Sequence, residues 1–253
     1  TGLWIDGDEV FRVDVNGSGS LDISYDLDSD TLSVTGSNSV DATSSLTITD
    51  LSGTDLRVDQ IIIDDGFGDL TTNTGVGTIS LLGNGSDLTG TFTIGGDLGS
   101  IDTYDLVGTL NVQGDAGTIH ITRDLMAGAS LSVSGGVSLL QVDDDVAGTV
   151  FIGGDVSTLD LTGATGGSSD IEATGSITVN GDVGSVHIQR DIFDGGSLTV
   201  GGHVTTLEIG DDVAGTVLIG GDLTTLDMNG TNGGSGDIEA TGSITVNGDL
   251  GSA

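Results

Sequence analysis

The chain of 253 residues contains no cysteine, no proline and no lysine. Its four basic residues are all arginine: Arg12, Arg57, Arg123 and Arg190. Each absence excludes something. Without cysteine there are no disulfides and no thiolate metal sites, and cysteine usage gives no redox compartment. Without lysine there is no Schiff-base chemistry and no P-loop. Aromatic residues are 3% of the chain, and no run of 18 apolar residues exists to span a bilayer as a helix. Four cations against 39 acidic residues leave a net charge of −35, which repels phosphate backbones and argues against nucleic-acid binding.

What is present is glycine (46 residues), aspartate (35), and serine plus threonine (59). Glycine and charge together suggest disorder. The hydrophobic 35% argues otherwise, because nearly all of it is Val, Ile and Leu at regular intervals. Residues 113–179 and 180–246 align without gaps at an offset of 67, with 42 identical positions. Within that period a Gly-Asp-Val-like turn recurs at Asp97, Asp115, Gly136, Asp155, Asp182, His203, Asp222 and Asp249, at spacings of 18, 21, 19, 27, 21, 19 and 27. The longest units carry Gly-rich insertions at 162–172 and 229–239.

Each unit has two short segments of alternating hydrophobicity, a strand signal, and no 3.6-residue pattern lasts long enough for a helix. Strands of four residues are unstable as isolated hairpins. Stacked at a fixed period they form an all-β, right-handed parallel β-solenoid, with 19–27 residues per coil and a three-coil superrepeat of 67 residues. At about 4.8 Å per layer, eight turn stations give a rod of roughly 40 Å. A β-sandwich, the alternative, would not require a strict copy. Alternation places Leu131, Val133, Val137, Leu140, Val142 and Val146 inward, and in the next copy Leu198, Val200, Val204, Leu207, Ile209 and Val213. Ser132, Gln141, Thr199 and Glu208 point outward. Burial at about 1.5–3 kcal/mol per aliphatic offsets the ordering of many glycines. Residues 1–44 read as a β-hairpin cap or small antiparallel module, with Val10–Val15 and Ser20–Tyr25 as the hairpin arms. Residues 45–90 read as irregular coils, and 91–253 as the regular solenoid continuing beyond 253.

Runs such as Gly153-Gly154-Asp155-Val156-Ser157-Thr158-Leu159-Asp160-Leu161 and Gly201-Gly202-His203-Val204-Thr205-Thr206-Leu207-Glu208-Ile209 resemble the β-strand repeats of very large secreted bacterial surface proteins. The resemblance covers about 90–253. It implies a parallel β-helix used in adhesins, surface layers or filaments, and an extracellular or cell-surface location. It carries no catalytic motif, and no enzyme activity is expected.

Candidate chemistry centres on aspartate. The turn aspartates suit Asx caps on local backbone N–H groups. Stacked carboxylates also repel, and Ca²⁺, which takes six to eight oxygens, would relieve this. Asp143, Asp144, Asp145, Asp211 and Asp212 are the candidate ligands. Asp14, Asn16 and Asp22 resemble part of an EF-hand loop, although Tyr25 stands where a bidentate carboxylate is needed. Arg123 and Arg190 occupy one repeat position and are expected to form inter-coil ion pairs, Arg123–Asp144 and Arg190–Asp211. His120, His187 and His203 read as surface residues. Phe151 and Leu218 should face outward, with Met126 and Phe193 at turns, as a stripe for self-association. Expected partners are therefore other copies or adjoining repeats, and glycans under the alternative of a carbohydrate-binding or carbohydrate-active β-helix. An ice-binding Thr array fails where Phe151 succeeds Thr93.

Overall fold

In the computed structural model, described residues comprise 45–51, 58–64, 68–82, 86–163, 169–228 and 236–253. The strands within 1–44 are described by their backbone pairing alone. Two long sheets dominate, one of 12 strands and one of 10. Each regular coil gives a short strand to the first and a longer one to the second. Ser130–Val133 and Val137–Val142 form one such coil, and Thr149–Ile152 with Val156–Leu161 form the next. Neighbouring coils pair in parallel, Ser130 opposite Thr149 and Leu140 opposite Leu159. The chain is thus a parallel β-solenoid. In register, Thr91, Thr109, Ser130, Thr149, Ser176, Ser197, Thr216 and Ser243 follow one another, which reproduces the spacings of the turn stations.

A third side closes each coil. It is a column of single parallel bridges linking Leu88, Leu106, Leu125, Val146, Ile171, Ile192, Val213 and Ile238. One residue per coil is too short a signal for a strand, so the sequence pattern shows this side only as an inward Val146. The alternation holds in the interior coils. Leu131, Val133, Leu140, Val142 and Val146 are fully buried, as are Val200, Leu207 and Val213, and their partners are nearly so. The core is one aliphatic column bounded by three walls, filled mostly by Val, Ile and Leu with Phe92 its largest member.

The first strands pair differently from the expected hairpin. Glu9–Asn16 pairs antiparallel with Gly2–Asp6 on one edge and with Ser45–Asp50 on the other. A strand has two edges, so none remains for Ser20–Asp26, which pairs with Thr31–Ser37 in a separate two-stranded sheet. The two antiparallel strands extend the sheet past Ser45–Asp50, the first strand of its parallel part, so that Gly2–Asp6 is the outermost strand. On the outer face of that sheet Thr93 is followed by Asn111 and Ser132 before Phe151. Among the described residues, no helix is long and apolar enough to cross a membrane.

Candidate functional site

The corners carry the chemistry. At the turn between the two long sheets, an aspartate side chain accepts the backbone N–H of the corresponding residue in the next coil. Asp97 Oδ1 takes Asp115 N–H at 2.9 Å, and Asp115 takes Gly136 at 2.8 Å. Asp155 takes Asp182, Asp182 takes His203, and Asp222 takes Asp249, at 2.7–2.8 Å. At His203 the imidazole replaces the carboxylate, and its Nδ1 accepts Asp222 N–H at 2.8 Å. The expected role, acceptor for a backbone N–H, is correct in kind. The bond joins coils, however, and is not a local Asx turn. A turn amide that faces along the rod axis finds its side-chain acceptor on the preceding layer.

A second column runs along the corner before the bridged aliphatics. Asp87, Asp105, Asp124, Asp145, Asp170, Asp191, Asp212 and Asp237 each precede a bridged residue, and each of the first seven carboxylates accepts the N–H of the next aspartate at 2.8–3.2 Å. This ladder is unbroken over eight coils. The sequence pattern misses it because its spacings of 18, 19, 21, 25, 21, 21 and 25 look irregular. The recurring Asp-Leu, Asp-Val and Asp-Ile dipeptides are the signal that would find it.

Burial and stacked charge push three of these carboxyls up, Asp87, Asp145 and Asp170. Asp145 is raised to about 6, mainly by desolvation, with Asp144, Asp170 and Glu172 adding repulsion against the Asp170 N–H bond. Asp170 and Asp87 are raised too, first by desolvation. A carboxyl raised in the folded state binds its proton more tightly there than in the unfolded chain. Its stabilisation is full below about pH 4 and is lost as pH rises through about 6. After discounting for partial exposure and screening, Asp145 contributes about 1–2 kcal/mol over that window. The thermal midpoint at constant ionic strength is expected to fall between pH 4.5 and 7, and Asp145→Asn to flatten the fall. An unchanged slope would contradict the assignment.

Oxygens of Asp124, Asp144 and Asp145 lie within 4.8 Å of one another, and those of Asp191, Asp211 and Asp212 do the same one superrepeat later. Four of the five regular-repeat aspartates singled out in the sequence therefore belong to these clusters. Asp124 and Asp191 join them through the ladder. Asp143 does not join: its buried carboxylate accepts Gln141 Nε2 at 2.7 Å and lies 3.2 Å from His120 Nε2. Asp14 and Asn16 sit in one strand and Asp22 in another, and residues 17–19 between them lie outside the described residues. Their side chains fall outside the described residues.

The arginine register is as expected, since Asp144 N–H donates to Arg123 O and Asp211 N–H to Arg190 O. Arg123 reaches Asp124 at 3.3 Å and Asp105 at 3.9 Å, over the ring of Tyr104, and Arg190 reaches Asp191 at 3.6 Å. The guanidiniums turn onto the ladder, where carboxylates are densest. Phe151 and Phe193 are more than a third exposed, while Leu218 is half-buried and Met126 packs on the core.

No family model matches the chain, and neither the curated proteins nor the solved structures contain a match. Fold and corner chemistry define its class: an acidic parallel β-solenoid repeat protein with aspartate ladders at two corners.

Proposed function

We propose that the chain is a structural β-solenoid, a stiff acidic segment of an extracellular surface layer, adhesin stalk or self-assembling filament, strengthened by divalent cations. The observation that carries this reading is the use of the polar side chains. The corner aspartates, which on an enzyme would be candidate acids, are committed to holding one coil on the next. The resemblance of the Gly-Gly-Asp-Val runs to secreted surface repeats supports the location. The two three-carboxylate clusters, on a chain with four arginines, support Ca²⁺ as counter-charge. Phe151 and Phe193, with Leu218 and Met126, are the proposed contacts between copies.

Imaging the purified protein with Ca²⁺ and after chelation tests this. Ordered rods or sheets that shorten or disperse on chelation are the expected result. Discrete monomers in both conditions would overturn the assembly, and rods indifferent to chelator would overturn the cation. A second reading, glycan binding, draws on shallow polar grooves along the outer face of the 10-stranded sheet. One is lined by Asp102, His120 and Gln141, the other by His187, Glu208 and Asp227. Depolymerisation of a glycan by the monomer would favour it.

A further inference from the structure

His120 lies on the outer face of the 10-stranded sheet, in register with Asp102 on the coil before and Gln141 on the coil after. Its Nδ1 is 3.4 Å from Asp102 Oδ2, and its Nε2 is 3.2 Å from Asp143 Oδ2. One imidazole thus faces carboxylates from both neighbouring coils. The Asp143 side chain is only 7% exposed, so that contact is shielded from solvent. His187 repeats part of this arrangement one superrepeat later, with its carboxylate contact on the following coil. Asp160 stands in register on the coil before, and Glu208 on the coil after lies 2.7 Å from Nδ1.

The two copies differ in an informative way. Where the first has Gln141 and Asp143, the second has Glu208 and Gly210. The acid has moved from the turn to the strand, yet each histidine still has one carboxylate contact from the following coil. A surface residue with no partner would not require that exchange.

A neutral imidazole has one N–H, so at His120 it donates to one carboxylate and turns a lone pair toward the other. Protonation makes both nitrogens donors and places a cation between two anions. We propose that His120 and His187 are acid-dependent clips that act when the imidazole is protonated, His120 tying its coil to both neighbours and His187 tying its coil to the following one. The charged groups facing His120 are Asp102 and Asp143. Thr122 Oγ1 donates to Asp102, and Gln141 donates to Asp143. Glu208 faces His187, and Asp160 stands in register with it, with Thr162 donating to Asp160 and Asp227 lining the same groove. Arg123 and Arg190 are engaged at the ladder.

The test compares the denaturant stability of wild type with the double variant His120→Gln, His187→Gln at pH 5.5 and 8.0. The raised ladder aspartates act equally in both proteins and cancel. The double variant is expected to lose about tenfold more of its folding equilibrium at pH 5.5 than at pH 8.0. Equal losses at the two pH values would overturn the proposal. If the double variant does not fold, the imidazole signal of His120 is titrated by NMR in wild type and in Asp102→Asn, an exposed and mild change. A titration midpoint that falls in the variant supports the clip, and one that does not move overturns it.

Discussion

Asp170→Ala is expected to lower the unfolding free energy by about 1–3 kcal/mol, and Asp170→Asn to raise it. The opposite signs follow from two properties of one carboxylate. Asp170 is 4% exposed, and its Oδ1 accepts Asp191 N–H at 2.8 Å. Alanine removes the acceptor and leaves that amide unsatisfied in the corner, where an orphaned donor costs more than the bond was worth. Asparagine keeps an oxygen in the same place. It also removes a charge that desolvation, with Asp191 and Glu172 nearby, disfavours by more than the Asp191 N–H and the Arg190 guanidinium favour it. Denaturant midpoints of the two variants at pH 7 and constant salt check this. A destabilised asparagine variant would mean that the charge itself is needed, as it would be if a cation were bound at the ladder under those conditions. Repeating the measurement with chelator separates the two causes.

Truncating Leu140 to alanine should cost about 2–5 kcal/mol, and Leu207→Ala should cost much the same. Both leucines are fully buried, and they occupy one repeat position. Leu140 stacks between Ile119 and Leu159, and Leu207 between Val186 and Leu226. In a solenoid each coil touches only its neighbours, so the cavity cannot be closed by a distant rearrangement. Loss of amide protection should be greatest in the substituted coil and the two beside it. A cost below 1 kcal/mol in either variant, or uniform loss along the rod, would contradict a core built one layer at a time.

The coil was legible because its signals are local. Alternation within Ser130–Val133 and Val137–Val142 marks which side faces in, and the copy at an offset of 67 repeats it with only aliphatic exchanges. The same spacing fixed the parallel register, so the stacking of Arg123 on Asp144 was foreseeable. That the guanidiniums of Arg123 and Arg190 reach Asp124 and Asp191 was not. It depends on where guanidinium and carboxylate meet across layers, and the densest carboxylates belong to a ladder whose members are 18 to 25 residues apart. The N-terminal strands show the complementary failure. Their β character follows from alternation, but pairing between Glu9–Asn16 and Ser45–Asp50 reaches across a separate two-strand sheet that no short-range turn signal describes.

The sequence by itself determined the period, the inward face and the places where the chain turns, because each rests on residues within one or two coils. The tertiary structure decided what the turn residues do. An aspartate at a corner has the same local sequence whether it caps its own turn or reaches the next layer. Only stacking at the interlayer distance brings a backbone N–H of one coil within bonding distance of the carboxylate of another, and that contact turns an excess of acid into the ladders that hold the rod together.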